Sequence, residues 1–142
     1  MKKLILPLIL ALFTFSATAQ VVVRGVSPEA IANNFEFTWA DPAGGDWLCP
    51  DFLVPNTFVE APLIIINDGT QGINDQGNPI SAEGCAGSPA PGAPPAGPGL
   101  NDLTGKIAIV YRNTCEFGYK ALQAENAGAV GVIIVNLSLI HI

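Results

Sequence analysis

The sequence predicts a strand-rich α/β fold with a βαβ unit, and the last third of the chain carries the clearest pattern. Residues 107–111 and 130–135 are short, continuous runs rich in Val and Ile, which are typical of buried strands. Residues 117–127 mix small and polar side chains, as in a helix that packs on one side against a sheet. A strand, a helix and a second strand in this order predict a βαβ unit with parallel strands.

The predicted helix has candidate signals at both ends. Thr114 is a candidate N-cap, because a threonine hydroxyl can accept a hydrogen bond from a free N–H group of the first turn. Gly128 follows the helix where glycine commonly adopts a positive φ. Glu116 and Lys120 are four residues apart, so we expect an exposed, structural ion pair that contributes about 0.3 kcal/mol.

Two upstream segments also predict strands. Residues 35–39 (Phe-Glu-Phe-Thr-Trp) alternate between aromatic and polar side chains, which indicates a half-buried strand. Residues 61–66 form a continuous apolar run before Asn-Asp-Gly, which predicts a buried strand that ends in a tight turn. Residues 88–99 contain five prolines and three glycines, which exclude a helix or a central strand. We interpret this last segment as a spacer loop in preference to a partner-binding loop.

The first residues indicate export. Two lysines precede an apolar run at residues 4–15, and residues 17–19 (Ala-Thr-Ala) form the small-residue pattern that a signal peptidase cleaves. The run is shorter than the roughly 20 residues that a membrane-spanning helix needs. We therefore predict a signal peptide at residues 1–19, a secreted or cell-envelope location, and no membrane span after cleavage.

The charge balance limits the classes of partner. Cleavage removes two of the six basic residues and leaves four against 12 acidic ones. A surface with this excess of negative charge repels nucleic acid and anionic lipid. We therefore expect no nucleic-acid partner.

The three cysteines predict disulfide chemistry and not a metal site. Cys49, Cys85 and Cys115 lack the Cys-x-x-Cys spacing of zinc sites, and an oxidising compartment favours disulfides. An odd number leaves one cysteine whose partner the sequence does not identify. Residues 67–78 are rich in Asn, Asp and Gly but lack EF-hand spacing, so we interpret them as turns and leave calcium binding open.

Residues 102–136 carry a recognisable combination of motifs. Residues 102–110 (Asp-Leu-Thr-Gly-Lys-Ile-Ala-Ile-Val) lead through Arg-Asn-Thr-Cys-Glu-Phe at residues 112–117 to the helix and then to Ala-Gly-Ala-Val-Gly-Val-Ile-Ile-Val-Asn at residues 127–136. This order closely resembles the signature of the protease-associated (PA) domain family. The positions that match the family motif are Gly105, Lys106, Arg112, Phe117, Lys120 and Gly128. The chain departs from the motif at Asn113, where a glycine commonly follows the arginine.

The resemblance implies an open β-sandwich or barrel-like α/β module whose further strands lie beyond Asn136. Family members often bond the cysteine at the position of Cys115 to one in the preceding loop, for which Cys85 is the candidate. Such a bond closes a loop of about 30 residues and should stabilise the fold by about 3 kcal/mol. Cys49 would then be the cysteine without an assigned partner.

These motifs divide the chain into segments. After the signal peptide we expect N-terminal strands at 20–66, a Gly/Pro-rich loop at 67–101, the βαβ core at 102–136 and an artificial tail at 137–142. The tail matches one translated frame of a common sequencing adapter and contains His141, the only histidine. Histidine-based catalysis therefore has no candidate in the native segment.

The resemblance also implies a function. PA domains are non-catalytic modules of secreted peptidases, receptors and envelope proteins, so no catalytic residue and no cofactor is carried over to this chain. We expect the chain to be a protein-interaction or substrate-recruiting module of a larger secreted protein, such as a peptidase. Its partner would be a protein or peptide ligand, or an adjoining catalytic domain of the same chain. Two alternatives stay open: an enzyme whose catalytic residues lie beyond Asn136, and a free-standing envelope or adhesion protein.

Overall fold

A computed structural model describes residues 21–38 and 50–136 of the chain. The predicted signal peptide, Trp39, Cys49 and the predicted tail with His141 lie outside the described residues. Within the described residues the protein is mixed α/β, with one α-helix and strands in two sheets, as the sequence predicts. The chain forms two compact units, which divide after Phe58.

The first unit contains a small antiparallel ladder. Strand β1 (Val23–Arg24) pairs with β2 (Asn34–Phe35), and a 3₁₀ turn (Glu29–Ile31) lies between them. The predicted half-buried strand at residues 35–39 is wrong in the part that the structure describes, because Phe35 and Phe37 are both exposed. A ladder of two residues in two strands offers too little area to bury an aromatic face.

The second unit is built on a parallel sheet of three strands. Strands β3 (Leu63–Ile65), β4 (Ile107–Tyr111) and β5 (Gly131–Val135) lie side by side in that order. Helix α1 (Phe117–Asn126) connects β4 to β5. The predicted βαβ unit with parallel strands is therefore confirmed.

The core of the second unit lies between the sheet and α1. Side chains alternate along β4, so that Ala108 and Val110 are buried while their neighbours are half-buried. Helix α1 buries Lys120 and Ala124, which are four residues apart on one face. The buried apolar cluster consists of Ile66, Leu103, Ala108, Val110 and Ala124.

Strand β3 is less buried than its sequence predicts. Ile66, just after the strand, is fully buried, whereas Leu63 and Ile65 are 45% and 48% exposed. Among the described strands β3 lies at the edge of the sheet, and its two exposed side chains alternate with the half-buried Ile64. A continuous apolar run therefore does not distinguish an edge strand with one covered face from a central strand.

Two glycines of the family motif have the conformation that their positions require. Gly128 follows α1 with a φ of 92°, and a Cβ atom there would lie 2.8 Å from Thr104 Oγ1. Gly105 has a φ of 68° in the turn before β4, with open space around it. The chain therefore needs glycine at residue 128 for two reasons, backbone conformation and close packing.

Candidate functional site

Three charged side chains are buried together between α1 and the loop that follows β3. Asp68, Glu83 and Lys120, which we call the buried charge cluster, are at most 2% exposed. Lys120 Nζ donates hydrogen bonds to the Glu83 carbonyl oxygen at 2.6 Å and to Cys85 Sγ at 3.0 Å. A lysine that is fully removed from water needs such partners, because an unpaired buried ammonium is costly.

The expected ion pair between Lys120 and Glu116 is wrong. Glu116 is exposed, and its carbonyl oxygen accepts the backbone N–H of Lys120 at 3.2 Å. The Lys120 side chain turns inward instead, because it lies on the same face of α1 as the buried Ala124. The ammonium group of Lys120 therefore makes its hydrogen bonds inside the unit and not at its surface.

Glu83 connects two loops through its carboxylate. Glu83 Oε2 accepts the Thr114 hydroxyl at 2.6 Å, and Oε1 accepts Asn74 Nδ2 at 2.8 Å and Asn113 Nδ2 at 3.4 Å. Thr114 is thus not the N-cap of α1. The helix begins at Phe117, so its N-cap is Glu116, which makes no side-chain capping bond, while the Thr114 hydroxyl donates to Glu83.

The turn between β4 and α1 has an unusual backbone at the departure from the family motif. Asn113 has a φ of 153° and Thr114 a φ of 55°. Asparagine is among the residues that best tolerate positive φ, and both side chains here also bond to Glu83. Side-chain hydrogen bonds to a buried carboxylate therefore support a turn in which other members commonly have glycine.

Asp68 organises the start of the loop after β3. Its Oδ1 accepts the backbone N–H of Thr70 at 2.9 Å, and its Oδ2 accepts that of Ala86 at 3.0 Å. Two backbone donors for one carboxylate satisfy a charge that is 2% exposed. Asp68 thereby fixes the segment around Ala86 against the end of β3.

The oxygen-rich segment at residues 67–78 has the hydrogen bonds of turns. Asn67 Oδ1 accepts the N–H of Gly69, and Asn74 Oδ1 accepts those of Gln76 and Asn78, at 2.9 to 3.0 Å. These contacts are typical of Asn and Asp side chains that stabilise their own turns. In the described part of the chain, no three His, Cys, Asp or Glu residues are grouped so that they could hold a metal ion.

The environment of Lys120 changes its acidity. Burial lowers the pKa of Lys120 from 10.5 to about 8, and the carboxylates of Glu83 and Asp68 oppose this change. Desolvation disfavours the charged ammonium, whereas a nearby negative charge favours it. The lysine stays mostly protonated at neutral pH.

The structure contains the disulfide that the family resemblance implies. Cys85 and Cys115 are bonded, with their Cα atoms 5.7 Å apart. Cys85 follows the 3₁₀ turn Ile80–Glu83, and Cys115 precedes α1. The bond therefore joins the loop after β3 to the turn that contacts Glu83.

The other family-motif side chains lie apart from the buried charge cluster. Arg112 lies over the ring of Phe117, with Cζ 5.7 Å from the ring centroid, and Phe117 is 48% exposed. Lys106 Nζ donates to the carbonyl oxygens of Asp102 and Thr104, in the loop before β4. The motif therefore combines a buried lysine, a surface cation–π pair and a strand-entry turn, and not a single convergent site.

A cleft of about 300 Å³ lies beside the buried charge cluster. Tyr119 and Gln123 of α1 line it, together with Asp68 and with residues of the segments 84–87 and 96–100, most of which are small. The Tyr119 hydroxyl donates to the Ala86 carbonyl oxygen at 3.0 Å. The sequence does not predict this cleft, because the composition of residues 88–99 indicates only a spacer and no local pattern connects them to α1.

Comparison with known proteins gives one match. The family model described as PA domain matches residues 59–138, which is more than half of the chain and begins where the second unit begins. The chain matches none of the curated proteins and none of the solved structures with which it was compared. Within the described residues, α1 is too short and too polar to cross a membrane.

Proposed function

Because the chain belongs to the PA domain family, we propose that it is a non-catalytic module that recruits protein or peptide substrates for a larger secreted protein, in particular a peptidase. PA domains generally serve as protein-interaction or recruiting modules in peptidases and other proteins. The family match concerns the second unit, and the proposal concerns that unit. An adjoining catalytic domain would supply the chemistry.

The cleft beside α1 is the observation that carries this proposal. Its volume of about 300 Å³ lies at the lower end of the range for ligand pockets, so it suits one or two side chains of a peptide. Glycines 84, 87, 97 and 99 line it, and glycine allows a ligand backbone to approach closely. Tyr119 adds an aromatic surface of the kind that is enriched at protein interfaces.

The charge of the second unit limits the class of ligand, and its disulfide supports a secreted setting. The second unit has three basic residues against seven acidic ones in its described part, which favours ligands that are neutral or basic over anionic ones. The disulfide between Cys85 and Cys115 is compatible with an extracellular or periplasmic compartment, where such bonds persist. The N-terminal residues predict export to such a compartment.

Peptide selection tests the proposal. The mature chain is immobilised, a random peptide library is passed over it, and the selected peptides are titrated in solution. Gln123→Trp fills the cleft, and Leu122→Trp places the same side chain on an exposed neighbouring position of α1 that does not line it. We expect Gln123→Trp to weaken binding at least about tenfold and Leu122→Trp to leave it within about twofold.

Two results would count against the cleft. If both tryptophan variants bind the selected peptides as the parent chain does, the ligand site lies elsewhere. Ile65→Glu, on the exposed side of β3, then tests the sheet as the binding surface. Failure to select any peptide would contradict the recruiting function itself.

A further inference from the structure

The two sulfurs of the disulfide have different surroundings. Cys85 is fully buried and its Sγ accepts the hydrogen bond from Lys120 Nζ at 3.0 Å. Cys115 is 8% exposed and lies in the turn before α1, between the exposed residues Thr114 and Glu116. The disulfide is therefore electrostatically and sterically asymmetric.

We propose that this disulfide is a thiol-exchange site, at which an external thiol attacks Cys115 and Cys85 leaves as a thiolate paired with Lys120. The co-reactant is a small or protein thiol. The exchange would depend on the different surroundings of the two sulfurs and not on the recruiting function.

The exchange is balanced without any further redox partner. The attacking thiolate forms a bond to Cys115 Sγ, the bond between the two cysteine sulfurs breaks, and its electron pair goes to Cys85 Sγ. A second external thiolate then attacks the sulfur of the first one in the mixed disulfide. The two external thiols become a disulfide, and Cys115 leaves as a thiolate that takes a proton from solvent. Two thiols are oxidised and one protein disulfide is reduced.

Lys120 determines which sulfur leaves. A thiolate is the better leaving group the lower the pKa of its thiol, and a neighbouring ammonium lowers that pKa. The carboxylates of Glu83 and Asp68 also face Lys120, but they are engaged by the hydroxyl and amide donors described above. Lys120 Nζ donates instead to the Glu83 carbonyl oxygen and to the Cys85 sulfur, so its positive charge lies next to the sulfur that leaves.

Cleavage of the bond between Cys85 and Cys115 would loosen residues that line the cleft. Gly84, Ala86 and Gly87 line the cleft, and the first two of them are the immediate neighbours of Cys85 in the chain. The disulfide ties these residues to the turn before α1. Thiol exchange would therefore release them from one of their attachments.

The first experiment identifies the attacked sulfur in the folded protein. The mature chain with Cys49→Ser is treated briefly with 2-mercaptoethanol, quenched with acid, labelled with N-ethylmaleimide in denaturant and mapped by peptide mass spectrometry. We expect the mercaptoethanol adduct on Cys115 and the maleimide on Cys85, in excess of about tenfold over the reverse pattern. A preference for adducts on Cys85, or equal amounts on both, would overturn the inference.

The second experiment tests Lys120 through the same ratio, measured only in variants whose fold is intact, because unfolding would by itself make the two sulfurs equally reactive. We expect Lys120→Met to lower the excess of Cys115 adducts about tenfold, Lys120→Arg to retain most of it, and Lys106→Met, far from the disulfide, to leave it unchanged. An unchanged ratio in folded Lys120→Met would refute the role of the lysine. If Lys120→Met does not fold, Lys120→Gln, which keeps a hydrogen-bond donor but removes the charge, replaces it with the same expected result and the same refuting result.

Discussion

The pH dependence of folding should reveal the buried charge of Lys120. Its pKa is about 8 in the folded protein and 10.5 when the side chain is free in water. Below about pH 8 the lysine is protonated in both states, and the folded protein bears the cost of a buried ammonium. Between these two values the unfolded chain binds more protons than the folded one, so the free energy of unfolding increases with pH.

The difference between the two pKa values sets the magnitude. A pKa difference of about 2.5 corresponds to about 3 kcal/mol when both states have been deprotonated. About 2 kcal/mol of this gain should be present by about pH 9.5, because the folded protein has then lost most of the proton while the unfolded chain still holds it. The sign is opposite to that of a surface lysine in an ion pair, which loses its stabilising charge at high pH.

Urea unfolding measures this effect. The parent chain and Lys120→Met are compared at about pH 7 and about pH 9.5, with Cys49→Ser in both. Lys106→Met is the matched control, at a half-buried lysine outside the buried charge cluster. We expect the free energy of unfolding of the parent to gain about 2 kcal/mol relative to Lys120→Met over this interval, and no such gain relative to Lys106→Met. A difference that stays flat or falls with pH would refute the reasoning, because it would mean that burial does not lower the pKa of Lys120.

Three other predictions concern stability, each measured by urea unfolding. Replacement of both Cys85 and Cys115 by alanine should cost about 3 kcal/mol, since the bond closes a loop with a sequence separation of 30; a cost below about 1 kcal/mol would contradict this. Gly128→Ala should lower the free energy of unfolding by at least about 1 kcal/mol more than Gly77→Ala, because Gly77 has a similar φ but no neighbour within 4 Å. Equal losses would show that the close contact with Thr104 does not destabilise the variant. Glu83→Gln should cost about 2 to 4 kcal/mol, because the amide places donors against the donors of the surrounding loops and leaves Lys120 without this carboxylate; a neutral effect would indicate that the cluster rearranges.

The βαβ unit could be predicted from the sequence because its signals are local. The runs of Val and Ile define β4 and β5, and the predicted helix end at Ala127, just before Gly128, lies one residue beyond the observed end at Asn126. The exposure of β3 could not be predicted in the same way. Its apolar run is similar to that of β4, and only the position of a strand within the sheet decides which face is covered.

The buried charge cluster could not be predicted from short stretches of the sequence. Glu83 lies in a short 3₁₀ turn within a loop, where an acidic residue is ordinarily exposed, and Lys120 is 37 positions further along the chain. The pairing of Glu116 with Lys120 was the simplest local hypothesis. It is wrong because Lys120 lies on the buried face of α1, where its ammonium donates to the Glu83 carbonyl oxygen.

The cleft depends on residues that are also far apart in sequence. Tyr119 contacts the Ala86 carbonyl across 33 positions, and residues 96–100, at the end of the proline-rich segment, return to the same place. Composition alone identified that segment as irregular and said nothing about where its ends meet. The family resemblance indicated a binding module but carried no ligand-contacting residue over to this chain.

The proline-rich segment contains a closed side loop whose base is fixed. Gly87 N–H donates to the Pro94 carbonyl oxygen at 2.9 Å, so residues 88–93 leave and return at one point. Chain inserted into such a tip adds little closure entropy, because this cost grows only with the logarithm of loop length. The tip therefore offers a place where the length and composition of the chain can vary next to the cleft while the sheet, α1 and the disulfide stay as they are. A new recognition specificity could be grafted there without redesign of the domain.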